Sequence, residues 1–512
     1  PWPIYLVYIL KIFVYIWVWS FFCSLTPGLG NLGDFGAWYY EPIAFQKAVL
    51  WSMAFEALGL GCGSGPLTGR YNPPFGGPIY FCRPGTIKAP FWPGLPLLGG
   101  AKRRWFEVLL YVGYIGSLFR ALVAPELSIE LFIPPLVLLP LLGMTDKTLF
   151  LASRAEHYYT ALVCFMFVDD WLPASKLVWV AIWMWAATSK LNHHFPSVVA
   201  VMQSNSPLTQ FGPIRKLLYK SYPDDLRPSR LTHFLAHAGT VTEYVFPIAL
   251  VLSGGGTVTV VALAVMVGFH TFITSSIPMG VPIEWNVIMV YGAFVLFGHY
   301  ADVNAFSVSA PLLIAYLAFA LVAVPLFGNL FPSKASFLCS MRYYAGNWAY
   351  SVWLFRGDAS KKLDEKLTKA AATLPVQLGK FLDEETIIAT TSKVLGFRSM
   401  HLHGRCLQQL LPKAVDDIDA YEYVDGELVA GIVIGWNFGD GHLHNMDLLR
   451  AVQAQCQFEE GELRCIFVES QPMGRTTHSW TIADAATGVR DTGKIRVKDL
   501  LELQPWPAAA EG

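Results

Sequence analysis

Residues 311–330 read PLLIAYLAFALVAVPLFGNL and contain no charged side chain. The hydrocarbon core of a bilayer is about 30 Å thick, so a helix that crosses it needs roughly 20 apolar residues. This stretch meets the requirement and predicts a membrane-spanning helix. Outward from it, further apolar runs lie near 4–22, 43–61, 106–123, 128–143, 158–173, 176–190, 232–252, 257–275 and 283–299. The sequence therefore predicts about ten spans.

The composition of the whole chain is typical of a membrane protein. Of the 512 residues, 54% are hydrophobic and only 15% are charged, and the mean hydropathy is +0.42. A water-soluble protein carries nearer a quarter charged residues. The formal net charge of −1 does not indicate a nucleic-acid partner. The eight Cys include no C-x-x-C pair and predict no disulfide framework. The chain begins at Pro1, so we expect further residues upstream.

The basic residues of the connecting loops fall on one side of the predicted membrane. With ten spans, the loops 23–42, 124–127, 174–175, 253–256 and 300–310 contain no Lys or Arg, whereas the alternate loops contain many. Lys and Arg accumulate in cytoplasmic loops. We therefore expect a multi-pass protein of the cell (inner) membrane, with its N-terminus and its C-terminal domain in the cytoplasm.

The composition changes near residue 358, where charged residues become frequent. Helical periodicity appears near 384–396 and 402–413, and strand-like segments follow at 419–424 and 428–436. The Asp-Gly pair between these two segments predicts a hairpin turn. Helical and strand-like segments continue to the end of the chain, which predicts a small α+β domain.

Ionisable side chains gather at the predicted cytoplasmic ends of five consecutive spans. Such groups are costly at membrane depth and usually face a polar interior, which makes them candidate site residues. The alternative is that single histidines serve packing and that the lysine extends to the lipid headgroups. The residues concerned are His157, Lys190, His193, His194, His233, His237, His270 and Glu284.

Four of these histidines support a second hypothesis, a metal site. His193, His194, His233 and His237, with His270 as a further ligand, would hold iron, copper or zinc, because neutral imidazoles suit these metals. His233 and His237 lie four residues apart and share a helix face.

Two further histidine pairs lie in the C-terminal domain. Each of the motifs His401-Leu402-His403 and His442-Leu443-His444 places two His two residues apart. On a strand, the two members of each pair share one face. We interpret them as surface-loop residues, with a metal site as the alternative.

Several short motifs between residues 106 and 330 resemble the vitamin K-dependent γ-carboxylase-like proteins, also called horizontally transferred transmembrane domain proteins. Their order and spacing agree with that superfamily. The motifs are His157–Leu162, Ala186–Leu191 with Lys190, Gly239–Glu243 with Pro247, and His270–Phe297 with Ile277-Pro278-Met279 and Trp285.

The resemblance implies roles for three residues. Lys190 would act as the base towards a reduced quinone, and His157 or His270 would assist, which agrees with the use of buried lysines as general bases. The carboxylase site is lumenal, whereas the loop charges here place the site in the cytoplasm, so glutamate carboxylation is not carried over. The whole chain, including Gly435–Gly441, also resembles a bacterial multi-pass membrane family of unknown function.

Three functions remain open from the sequence. The leading one is a membrane enzyme that acts on a lipid or quinone-like small molecule at the cytoplasmic leaflet by Lys/His acid–base chemistry, with a quinone as candidate cofactor. The second is a membrane oxidoreductase with a His-ligated metal, Fe or Zn, or a haem. The third is a non-catalytic scaffold or accessory subunit whose partners belong to a larger membrane complex.

The expected fold is mainly α. A polytopic membrane domain covers 1–335, with a carboxylase-like core at 106–330, and a linker at 336–357 leads to a cytoplasmic α+β domain at 358–512. Within the membrane domain, the loop 62–105 is rich in Gly and Pro and is predicted to form turns.

Overall fold

The computed structural model describes residues 2–61, 77–209, 211–276, 283–343, 345–369, 371–438 and 440–505. The first part of the Gly/Pro-rich loop (62–76), the Ile277-Pro278-Met279 motif and Gly439 lie outside the described residues. The chain is mainly helical (60%) and has a sheet in its C-terminal region. The expected fold class is confirmed at this level.

The first two thirds of the chain consist almost entirely of helices. Two π-helical segments, Phe294–His299 and Phe319–Ala323, continue the α-helices that precede them. A two-stranded antiparallel sheet, β1 (Tyr219–Ser221) with β2 (Asp225–Pro228), comes shortly before the helix that begins at Arg230. The helices are α1 (Trp2–Ser24), α2 (Phe35–Trp38), α3 (Pro42–Ala57), α4 (Gly77–Phe81), α5 (Trp105–Val123), α6 (Ile129–Thr145), α7 (Lys147–Ala152), α8 (Tyr158–Phe165), α9 (Trp171–Lys190), α10 (Phe195–Asn205), α11 (Gly212–Leu217), α12 (Arg230–Ser253), α13 (Gly256–Ser275), α14 (Ile283–Ala293), α15 (Pro311–Ala318) and α16 (Val324–Leu330).

Within the described residues, four helical stretches are long and apolar enough to cross a membrane: α5, α12, α13 and the continuous stretch Pro311–Leu330. Two shorter apolar helices are Tyr8–Ser24, within α1, and α6. The helix α9 is 20 residues long, but its four Trp and two Lys lower its mean hydropathy. The helix α8 ends after eight residues. The count of about ten spans therefore stays a prediction.

The C-terminal region contains a five-stranded sheet in which all neighbouring strands are antiparallel. Its strand order is β4 (Tyr421–Asp425), β3 (Tyr350–Arg356), β5 (Leu463–Val468), β6 (Thr477–Asp484) and β7 (Gly488–Arg496). Helices precede, follow and interrupt the strands. The elements are β3 (Tyr350–Arg356), α17 (Lys361–Lys366), α18 (Leu374–Leu378), α19 (Glu384–Met400), α20 (Leu402–Ala414), β4 (Tyr421–Asp425), α21 (Gly426–Val433), α22 (Met446–Cys456), β5 (Leu463–Val468), β6 (Thr477–Asp484), β7 (Gly488–Arg496) and α23 (Val497–Glu502).

The predicted hairpin around the Asp-Gly pair is half wrong. Residues 421–425 form β4, but the predicted strand at 428–436 is replaced by α21. The reason is that the Asp425 carboxylate accepts a hydrogen bond from the Glu427 N–H and caps the helix. In addition, β3 lies within the range predicted as a linker and pairs with both β4 and β5.

The C-terminal region contacts the connection between α9 and α12, and it also contacts α4. His194 Nε2 lies 2.9 Å from Gln471 Oε1, and Arg227 Nη1 donates to Glu502 Oε2 over 3.2 Å. Tyr80 Oη donates to the Val433 carbonyl at 2.8 Å. These contacts place the C-terminal region against the C-terminal end of α9 and the N-terminal end of α12, where the candidate site residues lie.

Candidate functional site

Lys190 is the last residue of α9 and forms an ion pair with Glu243 of α12. Its Nζ donates to both carboxylate oxygens of Glu243, and both side chains are shielded from solvent. The rings of Phe195 and Phe269 lie 5.3 and 5.8 Å from Nζ. The pair is therefore a buried ammonium and carboxylate that lie close to two aromatic rings.

The positions of Glu243 along α12 and of Lys190 at the end of α9 explain why the two side chains meet. The Ser229 hydroxyl accepts from the Thr232 N–H and caps α12. Glu243 then lies about 20 Å along the helix axis from Arg230, at about 1.5 Å per residue. Lys190 meets it from the C-terminal end of α9, where the helix dipole favours a positive charge.

His270 of α13 is held by hydrogen bonds at both ring nitrogens. Trp183 Nε1 donates to His270 Nε2 at 3.0 Å, so the imidazole proton is on Nδ1. That nitrogen donates to Asn286 Oδ1 at 2.8 Å. The ring is buried and fixed as one neutral tautomer.

His157 immediately precedes α8 and belongs to a second buried group of polar side chains. Its Nε2 accepts from Trp285 Nε1 at 3.1 Å, and its Nδ1 lies 3.3 Å from Glu156 Oε1. Glu156 Oε1 also accepts from Arg154 Nε at 3.0 Å and from Tyr343 Oη at 3.1 Å.

Trp285 lies between the two predicted catalytic histidines. Its ring centroid is 6.2 Å from that of His157 and 6.0 Å from that of His270. The hydrogen bonds of Lys190, in contrast, go to Glu243. The structure thus connects His157 and His270 through one indole and places Lys190 in a separate pair.

His193, His233 and His237 line a cavity of about 860 Å³ at the end of α9. Its wall includes Thr188, Ser189 and Leu191, the neighbours of Lys190, together with the start of α12 and the segment 471–475 of the C-terminal region. The remaining lining residues are Asn192, Pro196, Asn329, Arg342, Ala345 and Asn347. We call this space the α9 cavity.

The fourth predicted metal ligand, His194, lies apart from the other three. It is buried, and its ring lies 4.9 Å from that of His478 in β6. Among the described residues, no group of three or more His, Cys, Asp or Glu is arranged to hold a metal ion. The geometry gives the metal hypothesis no support, and it stays a prediction.

Of the four histidines in the two pairs of the C-terminal region, His442 alone is partly exposed, with 18% of its side chain accessible. His401, His403 and His444 are fully buried, and the rings of His401 and His403 stack 5.4 Å apart. Burial lowers the pKa of His401 to about 3 and that of His444 to about 4. These rings are neutral at pH 7. The surface interpretation was wrong because α20 begins at Leu402 and packs its first turn against the sheet domain.

Two features of the site were not found from the sequence. Arg342, which follows α16, is 4% exposed and lines the α9 cavity. The segment 471–475 contributes Gln471 and Arg475 to the same wall. No sequence motif marks either feature, since both depend on how the C-terminal region packs against the helices.

One comparison with known proteins gives a match. The model of a family described as "Transmembrane protein of unknown function (DUF3556)" matches residues 1–511. No curated protein and no solved structure is similar enough to match.

Proposed function

Because the chain belongs to the DUF3556 family of transmembrane proteins, we propose that it is an integral membrane enzyme that acts on a lipid or quinone-like amphiphile. The substrate head enters the α9 cavity, and the Lys190–Glu243 pair supplies acid–base chemistry. One observation carries this proposal: the cavity wall contains the residues on both sides of Lys190.

The α9 cavity suits the head of an amphiphile. Its volume of about 860 Å³ falls within the roughly 300–1,000 Å³ that is usual for small-molecule sites. Leu191, Pro196 and Met473 give it apolar wall, and Asn192 and Asn347 give it polar groups. The cavity lies where the C-terminal end of α9 and the N-terminal end of α12 meet the C-terminal region. Of these two helices, α12 is apolar enough to span a membrane.

The buried pair offers two complementary groups. The Glu243 carboxylate accepts a proton from the substrate, and the Lys190 ammonium stabilises the negative charge that remains on the substrate. His157 would support the site by accepting a hydrogen bond from the Trp285 indole N–H and so fixing that ring. His270 would do the same for Trp183. In this proposal Glu243, and not Lys190, is the base, and Lys190 acts as the cation that stabilises the deprotonated substrate.

The proposal keeps the cytoplasmic orientation and the division into a membrane domain (1–335) and a C-terminal α+β domain. Basic residues are absent from the loops on one side of the expected spans, which supports a cytoplasmic C-terminal domain. The γ-carboxylase resemblance supports only the choice of Lys190. Glutamate carboxylation forms no part of the proposal.

The test compares two lysine variants on one helix. Full-length protein is reconstituted in vesicles of total membrane lipid extract with added quinones and incubated with a cytosolic fraction. Lipids and quinones are then compared by untargeted mass spectrometry. Lys190→Met removes the ammonium of the proposed catalytic pair. Lys176→Met serves as control, because Lys176 is also a buried lysine of α9 but donates to the Tyr300 and Val303 carbonyls and does not pair with Glu243.

We expect a lipid or quinone species that is consumed by wild type and by Lys176→Met but not by Lys190→Met. Equal consumption by Lys190→Met contradicts the assignment of the pair. No change with wild-type protein contradicts an enzymatic function.

A further inference from the structure

Arg342 is a buried cation with unused hydrogen-bond donors in the wall of the α9 cavity. Its Nη1 donates to the Asn347 carbonyl over 3.4 Å, but its Nε and Nη2 atoms are buried and have no hydrogen-bond partner. Donors left unpaired in this way cost free energy, and charged donors cost more. The arrangement is explained if an acceptor enters the cavity.

The nearest carboxylates do not fill this role. Glu469 accepts from His442 Nε2 at 3.0 Å and from the Ser470 N–H at 2.7 Å. Asp440 accepts from the His442 N–H at 3.0 Å. In the part of the chain that the structure describes, no carboxylate lies within ion-pair distance of Arg342. Its charge is therefore available to a ligand.

The rest of the cavity wall has the same electrostatic character. Arg475 is exposed on the segment contributed by the C-terminal region, and the imidazoles of His193, His233 and His237 are exposed along the ends of α9 and α12. None of the lining residues in the described ranges is Asp or Glu. The wall thus offers positive charge and N–H donors, and the two carboxylates that act on Arg342 through space, Glu469 and Asp440, are not part of it.

The segment that carries Arg475 is held in place by hydrogen bonds. The Gln471 N–H donates to Asn347 Oδ1 at 2.7 Å, and Asn347 Nδ2 donates to the Gln471 carbonyl at 2.8 Å. Gln471 Nε2 donates to the Arg475 carbonyl at 2.5 Å, and the Met473 N–H donates to the Asn329 carbonyl at 2.9 Å. The wall is therefore built before any ligand arrives.

We propose that the α9 cavity binds a phosphate group through the guanidinium of Arg342, with Arg475 and the three imidazoles at its rim. A guanidinium matches phosphate because two parallel N–H groups reach two oxygens at once. The inference rests on the proposed function, and it makes the amphiphile a phosphate-bearing lipid and not a quinone.

The experiment uses two lipids that differ only in the phosphate. Full-length protein in mild detergent is titrated with phosphatidic acid, with diacylglycerol of the same acyl chains and with inorganic phosphate, and binding is followed by native mass spectrometry. Arg342→Gln and Arg475→Gln are compared with two controls outside the cavity. These are Arg405→Gln, at a buried arginine that donates to backbone carbonyls, and Arg496→Gln, at an exposed arginine.

We expect wild type and both controls to prefer phosphatidic acid over diacylglycerol, with binding that weakens as salt rises. Loss of a charged hydrogen bond predicts about ten- to hundredfold weaker phosphatidic acid binding in Arg342→Gln. We expect a smaller loss in the exposed Arg475→Gln, which also serves as the test if Arg342→Gln does not fold. Inorganic phosphate that competes at equal concentration supports the phosphate site but contradicts the lipid as its source.

Equal affinity for the two lipids in wild type, or an unchanged preference in both cavity variants, overturns the phosphate site. Binding of both lipids without preference leaves the proposed function standing. Absence of binding by any amphiphile contradicts the phosphate site and the proposed function together.

Discussion

Lys190 at the end of α9 and Glu243 in α12 form an ion pair that is almost completely shielded from solvent. Each charge is removed from water, and each is tolerated because the other is present. The pair therefore joins two helices and gives the site one ammonium and one carboxylate that neutralise each other.

This relationship predicts a strong, non-additive effect on stability. Lys190→Met or Glu243→Gln leaves one buried charge alone and should lower the free energy of unfolding by about 3–5 kcal/mol. The double variant Lys190→Met/Glu243→Gln should cost less than the two single variants added together. Unfolding in mixed detergent micelles, followed by circular dichroism, measures all four proteins. A double variant whose cost equals the sum shows that the two charges are not coupled.

A second prediction concerns Trp285, which lies between His157 and His270. Trp285→Phe keeps an aromatic ring but removes the N–H that His157 Nε2 accepts. One buried acceptor is then unpaired, at a cost of about 1–3 kcal/mol. The control is Trp17→Phe, since Trp17 is exposed on α1 and its loss leaves no buried acceptor. Equal unfolding midpoints for the two variants would show that the hydrogen bond to His157 does not contribute.

A third prediction concerns acid stability of the C-terminal region. Burial lowers the pKa of His401 from 6.5 to about 3. Between pH 6.5 and pH 3 the unfolded chain binds more protons at this residue than the folded chain. The free energy of unfolding therefore falls as the pH falls, by up to about 1.4 kcal/mol per pH unit. His401→Asn removes the titration and retains an N–H for the Phe397 carbonyl, which His401 Nδ1 contacts at 2.9 Å.

The measurement is the difference between the wild-type and His401→Asn unfolding curves at pH 7, 6, 5 and 4. Taking the difference removes the contribution of groups that titrate in both proteins, such as Glu427. Burial raises the pKa of Glu427 to about 7, so its contribution to the free energy of unfolding changes with pH in the opposite direction. We expect the wild type to lose stability more steeply towards pH 4. Parallel curves would contradict a buried, neutral His401.

A fourth prediction concerns orientation. Single cysteines are introduced at the exposed positions Asp302, in a loop without basic residues, and Arg490, in β7. In intact cells, a membrane-impermeant thiol reagent should label Asp302→Cys but reach Arg490→Cys only after permeabilisation, because the C-terminal domain is expected in the cytoplasm. The parent protein gives the background from its own cysteines. The reverse pattern would invert the proposed topology.

Local sequence signals predicted many of the individual elements. The periodicity near 384–396 and 402–413 corresponds to α19 and α20, whose observed ranges are Glu384–Met400 and Leu402–Ala414. The strand predicted at 428–436 failed because an Asp-Gly pair serves equally as a hairpin turn and as the start of a capped helix. Here the Asp425 cap, together with the packing of α21 against β3, selects the helix.

The site was predicted in part. The cost of charge in a membrane identified Lys190 and the histidines at the ends of α9 and α12 as a group. The sequence did not show that Glu243 is the partner of Lys190, because the two residues lie 53 positions apart. It also did not distinguish Arg342 from the other loop arginines, since its burial depends on the packed C-terminal region.

The most direct test of the central claim, that the α9 cavity receives an amphiphile, is photo-crosslinking. A lipid with a photoreactive group beside its head is incorporated with full-length protein in vesicles, and the crosslinked peptides are mapped by mass spectrometry. We predict crosslinks to 188–196, 233–237 and 471–475, reduced by excess unlabelled lipid. Crosslinks confined to outward-facing side chains such as Val258 and Val260 of α13, unaffected by that competitor, would contradict the account.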